Sequence, residues 1–185
     1  MHGHEIVLGV TGGIAAYKSA ALASQLVQAG AGVTAVLTAA AEKFVGRATF
    51  EALTGRRVLS QVFDEPGHPL GAHIELADKA QLLVVAPATA NFIAKAAHGL
   101  ADDLLSTLYL SFTRLVLVAP AMNCEMWEKP AVQRNVQQLR ADGVHFVDPE
   151  EGWLSCRKLG VGRMAAPEKV FAAIQELLKV DSVAT

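Results

Sequence analysis

The sequence predicts an α/β fold in three layers: an open, Rossmann-like parallel sheet with helices on both faces, forming a single domain. Three observations predict it. Apolar, β-rich runs of strand length recur at residues 5–10, 33–38, 82–86, 115–119 and 144–147. Segments of helical composition separate them, and that alternation marks parallel strands joined by crossover helices. The runs are apolar almost throughout rather than alternating, as strands buried on both faces require.

The elements follow in order. Residues 5–10 (EIVLGV) form the first strand, broken by Thr11-Gly12-Gly13. Ile14 to Ala29 is helical and ends at Gly30, a C-cap residue. Val33 to Thr38 is the second strand, and Ala39 to Leu53 suits one or two helices interrupted near Gly46. Residues 64–72, with two prolines and two glycines, read as loop, and a short helix runs from His73 to Ala80. Leu82 to Ala86 is the third strand, stopped by Pro87; Thr89 to His98 is a helix capped by Gly99. Asp102 is positioned to cap a further helix through Leu110. Leu115 to Ala119 is the fourth strand, stopped by Pro120, and Pro130 to Ala141 a helix. Val144 to Val147 is a short fifth strand. A glycine-containing stretch, Glu150 to Arg163, leads to a last helix over 167–179. Residues 1–180 are read as the domain and 181–185 as a frayed tail.

Composition narrows the function. The chain has 185 residues with 16 Lys and Arg against 18 Asp and Glu, a net charge of −2. No basic excess points to nucleic acid or an anionic membrane. The apolar runs are too short to span a bilayer, and residues 1–5 lack the pattern of a signal peptide. Two cysteines, Cys124 and Cys156, do not make a disulfide scaffold, and no Cys/His spacing suits a metal. The expected setting is cytoplasmic.

Ligands of such sheets bind beyond the carboxyl ends of the strands, so the loops there carry the functional reading. Thr11 to Ala16 fits a phosphate cradle at a helix start or a tight turn that needs glycine. Pro87 to Asn91 offers a hydroxyl, an amide and backbone donors, which serve a ligand or a helix cap equally. Pro120 to Trp127 sets Met122, Met126 and Trp127 beside Asn123, suiting either an apolar pocket with one polar anchor or a hydrophobic cover on the sheet end. Cys124 there reads as a packing residue. His73 is either a surface histidine or a base working near neutral pH. The stretch from Trp153 to Met164 surrounds Cys156 with Arg157, Lys158 and Arg163 and reads as a mobile flap or a solvated basic loop.

Together these segments carry a resemblance. Gly12-Gly13-Ile14-Ala15-Ala16-Tyr17-Lys18, His73-Ile74-Glu75-Leu76, Ala86-Pro87-Ala88-Thr89-Ala90-Asn91, Gly99 to Leu105, Pro120-Ala121-Met122-Asn123-Cys124-Glu125-Met126-Trp127 and Cys156 to Met164 occur in order over nearly the whole chain. This pattern resembles the homo-oligomeric FMN-containing cysteine decarboxylases, and among them the phosphopantothenoylcysteine decarboxylases. The Pro-x-Met-Asn-x-x-Met-Trp block is its most specific part.

The resemblance implies a flavodoxin-like fold, bound FMN, and a homotrimer or dodecamer with flavin near subunit interfaces. It implies decarboxylation of 4′-phosphopantothenoylcysteine to 4′-phosphopantetheine in coenzyme A biosynthesis. A cysteine carboxylate has no electron sink of its own; transient oxidation of its thiol carbon creates one, CO₂ leaves, and re-reduction restores the saturated thiol. Carried over by residue, His73 matches the active-site histidine, Asn123 the holder of the substrate carboxylate, and Cys156 the flap cysteine that donates the last proton. Met126, Trp153, Ser155 and Met164 match further substrate contacts. Gly12, Gly13, Ile14, Thr38, Phe44, Thr89, Ala90, Asn91, Phe92 and Ala121 match positions that hold FMN.

Three departures stand out. Arg157 follows Cys156 where the family usually has glycine, and Thr89 replaces a frequent serine. Bacterial members are often fused to a CTP-dependent ligase, for which 185 residues leave no room, so the phosphopantothenoylcysteine synthetase is expected on a separate protein. Other readings remain: a peptidyl-cysteine decarboxylase, which has no need of a flap cysteine; a flavin prenyltransferase, which would lack the Asn123 to Trp127 block; and a non-catalytic flavoprotein regulatory subunit, whose acidic extension is not seen.

Overall fold

A computed structural model describes residues 1–63, 67 and 71–184; most of the loop read at 64–72, with His68, lies outside the described residues. Four strands follow the apolar runs: β1 (Glu5–Val10), β2 (Gly32–Leu37), β3 (Leu82–Ala88) and β4 (Leu115–Pro120), with β5 reduced to His145–Phe146. They form one parallel sheet in the order β2-β1-β3-β4-β5. The chain steps from β1 outward to β2, then returns past β1 to β3 and continues the other way. The order therefore reverses between β1 and β3, which opens a crevice at their carboxyl ends.

Helices close both faces. On one, α1 (Ala16–Gln28), α2 (Arg47–Thr54) and α8 (Pro167–Ala184) bury Leu22, Phe50 and Ile174 against Leu8, Leu37, Val84 and Leu117. On the other, α3 (Ala72–Lys79), α4 (Ala90–His98), α5 (Leu104–Ser111) and α7 (Pro130–Ala141) bury Leu76, Ile93, Leu108 and Leu139 against Val7, Val85 and Val118. Odd and even strand positions serve different cores, as a pleated strand dictates.

Five details differ from the sequence reading. Pro87 does not end β3; the strand runs to Ala88 with a register shift after Val85, because a missing N–H is tolerated at a strand's irregular end. The cap of α5 is Asp103, whose carboxylate accepts from Ser106 N–H at 2.8 Å; Asp102 instead pairs with Lys95 at 2.6 Å. Residues Cys124–Trp127 form a single turn of helix, α6, inside what reads as loop. The stretch 150–163 is an antiparallel hairpin, β6 (Glu150–Trp153) and β7 (Leu159–Arg163), and α8 continues to Ala184 through the residues read as a tail.

Candidate active site

The β1 and β3 loops are tied to each other at the crevice. Thr11 Oγ1 donates to Pro87 O at 2.8 Å and accepts from Thr89 N–H at 2.9 Å. Gly12 lies hard against the loop after β2: a Cβ there would stand 2.4 Å from Ala40 Cβ and 2.7 Å from Ala40 C. Only glycine lets these loops meet, so its role here is steric. Three strand ends thus converge on a cavity of about 500 Å³.

Its walls are Thr11 and Gly12, Thr38 to Ala40, and Thr89 to Phe92, with Lys95, Asp103 and Met126 at the side. Thr89 caps α4, accepting weakly from Phe92 N–H at 3.4 Å. The N–H groups of Gly12, Gly13, Ala90 and Asn91 meet no acceptor among the described residues. Lys95 is not a free cation, since Asp102 and Asp103 hold its ammonium at 2.6 and 2.8 Å. Burial pushes the Lys95 ammonium toward release of its proton, but the two carboxylates outweigh it and hold its pKa above the usual lysine value. Burial likewise pushes Asp103 up, and Lys95 with Ser106 outweighs it and holds that carboxyl below its usual range. The cavity therefore offers an anion backbone donors at a helix start rather than an unpaired side-chain charge.

A second cavity, of about 300 Å³, shares two loops with the first, those after β1 and β4. Ile14 and Ala15 follow Gly12 and Gly13 into its wall, and Ala121 to Asn123 lead the loop that gives Met126 to the first cavity. The hairpin closes it with Trp153 to Cys156 and Gly162 to Met164. The fit is tight, since Met122 N–H donates to Gly162 O at 2.9 Å and a Cβ on Gly160 would stand 2.9 Å from Cys124 Cβ. At the tip, the Lys158 ammonium is paired with the Glu125 carboxylate of α6. Asn123 caps α6, its Oδ1 accepting from Glu125 N–H at 2.7 Å, which leaves its amide NH₂ as the free end. Cys156 is an exposed thiol in the turn, and Cys124 a buried one packed under the flap, as its sequence context suggests.

The structure brings most of the expected positions together, divided between the two cavities. Gly12, Thr38, Thr89, Ala90, Asn91 and Phe92 line the larger; Ile14, Ala121, Asn123, Trp153, Ser155, Cys156 and Met164 line the smaller. Gly13 sits at the junction, its missing Cβ facing Thr89 Cγ2 at 3.8 Å. Met126, read with the substrate contacts, lines the larger cavity instead. Besides Gly13, two positions line neither. Phe44 is half exposed, and His73 stands at the start of α3, its ring against Gly71 and its Nδ1 buried without a hydrogen-bond partner among the described residues.

Of the wall residues that went unassigned in the sequence, three stand out. Thr11 is buried as the brace between loops; Lys18 is buried within α1, and Arg163 ends β7. Lys18 and Arg163 share no local motif, and only the fold makes them neighbours of the cavity. Arg157, the departure from the family's glycine, has φ +62°, a left-handed backbone that favours glycine.

A single α/β domain with paired cavities across its switch point defines a small-molecule-binding flavodoxin-like protein. Comparison with known proteins sharpens this: the chain belongs to the Flavoprotein family, whose profile matches residues 1–179. It is 46% identical over 170 residues to the coenzyme A biosynthesis bifunctional protein CoaBC of Bacillus subtilis, covering 92% of this chain and 42% of that protein. The chain thus spans well under half the length of the curated relatives it matches. Among solved structures, a PPC decarboxylase cysteine-to-serine mutant complexed with pantothenoylaminoethenethiol matches with a TM-score of 0.87 and 28% identity, covering 95% of this chain and 98% of that one. The FMN-dependent cysteine decarboxylase SpaF matches with a TM-score of 0.79 and 38% identity, covering 94% and 97%.

Proposed function

We propose that this chain is an FMN-dependent decarboxylase that converts 4′-phosphopantothenoylcysteine to 4′-phosphopantetheine. One observation carries the reading: the same two loops wall both cavities, so a group held at the switch point lies beside a chamber containing Asn123 and roofed by Cys156. The likeness to CoaBC and to the PPC decarboxylase supports the choice of substrate.

The residues fit FMN. The larger cavity has the volume of a cofactor site and unpaired backbone donors at the α4 start for a phosphate. Gly12, Gly13, Thr38 and Thr89 to Phe92 would hold the cofactor, with Ile14 and Ala121 facing it from the smaller cavity. Bound FMN supplies a reversible two-electron oxidation of the substrate's thiol carbon, the electron sink that a cysteine carboxylate lacks.

The chain's own residues do the rest. Asn123 donates its amide N–H to the substrate carboxylate and orients it. A neutral donor is suited to this, because a cation there would stabilise the carboxylate most before CO₂ leaves. Cys156 gives the final proton at carbon from the flap turn. The Lys158–Glu125 pair and the Met122–Gly162 bond hold that turn in place. His73 accepts the thiol proton or positions the thiol.

His73 lines neither cavity of its own chain, so it acts in the site of a second copy. Half-exposed or more exposed Ile14, Tyr17 and Phe44 around the cavities support a site completed at an interface, in a trimer or a trimer-based dodecamer. Among the described residues no helix is long and apolar enough to cross a membrane, and no His/Cys/Asp/Glu group suits a metal ion. With both cysteines free, the chemistry belongs in the reducing cytoplasm. The synthetase that makes the substrate is a distinct activity, carried out by residues other than these.

The test is to titrate the protein with FMN and then supply 4′-phosphopantothenoylcysteine. Stoichiometric flavin binding followed by CO₂ release supports the reading; a flavin-loaded protein inert toward this thiol contradicts it.

A further inference from the structure

Two cations meet at the smaller cavity with no carboxylate among its lining residues. Lys18 is 7% exposed, and its ammonium donates to Met164 O at 2.6 Å. An ammonium has three N–H donors, and Met164 O is its one acceptor among the described residues. Arg163 lines the same wall, its side chain running beside Gly152 of the facing strand. Burial, and then the Arg163 charge, hold the Lys18 pKa below the usual lysine value; Glu150 and Glu168 oppose them from outside the cavity wall. Neither carboxylate is a dedicated partner: Glu150 is paired with Lys169 at 2.6 Å, and Glu168 accepts from Gln25 at 3.1 Å.

A buried ammonium with unused donors is costly unless an acceptor arrives. Converging like charges raise that cost, and an anion from outside relieves both. The other charged end of the proposed substrate, its carboxylate, is already assigned to the neutral Asn123. We infer that Lys18 and Arg163 form a seat for the phosphate of the substrate, making this site selective for phosphorylated over unphosphorylated cysteine amides. This rests on the decarboxylase reading given above. Lys18 also anchors Met164 at the root of β7, so phosphate binding and flap position share one side chain.

The experiment compares 4′-phosphopantothenoylcysteine with pantothenoylcysteine as substrates of the FMN-loaded protein. It also compares 4′-phosphopantothenate with pantothenate as ligands by calorimetry. A charge-assisted contact predicts about a tenfold or greater preference for each phosphorylated compound. Arg163→Gln, on an exposed residue, shrinks both preferences several-fold, and Lys18→Gln does so further if it folds. Equal kcat/KM for the two substrates overturns the seat, as does an Arg163→Gln variant that slows both to the same extent. Phosphate-selective calorimetric binding without CO₂ release contradicts the decarboxylase reading and leaves the seat standing.

Discussion

The backbone N–H of Met122 donates to the carbonyl of Gly162 at 2.9 Å, joining the loop that carries Asn123 to the strand that follows Cys156. Through that bond the residue assigned to the substrate carboxylate and the residue assigned to the last proton share one rigid wall. The contact is possible because position 162 has no side chain: a Cβ there would lie 2.3 Å from Met122 O and 3.2 Å from Cys124 N.

Gly162→Ala should therefore lift the flap while leaving the flavin cradle intact. Overpacking of this kind costs about 1–3 kcal/mol, and if the strain falls on the closed flap the loss in kcat/KM is about 5- to 150-fold. Steady-state kinetics beside the visible flavin spectrum check this. Wild-type kcat/KM in the variant would show that the flap contact has no part in turnover.

Replacing Cys156 with serine separates the two halves of the reaction. The variant should still release CO₂ yet discharge the enethiol, two hydrogens poorer than the normal product. Mass spectrometry of the released thiol reads the difference directly. Normal saturated product at the wild-type rate would remove Cys156 from the mechanism.

The assignment of His73 to a neighbouring copy has its own test. His73→Asn and Asn123→Asp should each retain FMN and each lose at least about a hundredfold in kcat, the scale of a lost acid–base or orienting group. Mixed and reassembled together, the two inactive variants should recover a fraction of wild-type activity, because some sites then pair an intact His73 with an intact Asn123. No recovery in verified mixed oligomers would place both residues in one chain's site.

Asp103 links cavity and fold, capping α5 while holding Lys95 at the cavity edge. Its folded pKa lies below the usual carboxyl value of about 4 because Lys95 and Ser106 outweigh its burial. A depressed folded pKa means that the unfolded chain binds more protons, so this contribution is complete above the unfolded value and fades as pH falls through the folded one. Asp103→Asn should melt several degrees below wild type at pH 7, and the gap should begin to narrow only as pH falls below about 4. A gap independent of pH would show that the carboxylate charge is not what stabilises α5.

How far the chain could be read from sequence follows from where its signals reside. β1, β3 and β4 were legible because both faces are buried, which makes the apolar run continuous; α7 was legible from Pro130 at its first turn. The β6–β7 hairpin was not, since it is glycine-rich and its alternation runs between exposed and half-buried positions, with Gly162 the one buried residue. The loops bearing Gly12, Thr89 and Asn123 were legible as cavity-lining loops because they follow strands. Their division into two cavities was not, and Met126 fell on the other side of it. Lys18 was hidden because a single lysine in an alanine-rich helix looks like a solvated residue, whereas its ammonium reaches Met164, far along the chain. The left-handed turn at Arg157 gives a physical reason for the family's glycine there, which the sequence alone presented only as a departure.

The central claim is a decarboxylation that borrows two electrons and returns them within one site. Its most direct test is a strictly anaerobic incubation of the FMN-loaded protein with 4′-phosphopantothenoylcysteine and no added oxidant, followed by identification of the thiol formed. The account predicts one CO₂ per 4′-phosphopantetheine, over many turnovers, with the flavin oxidised at the end. Turnover that halts after one equivalent with the flavin left reduced, or that needs oxygen to proceed, would contradict it.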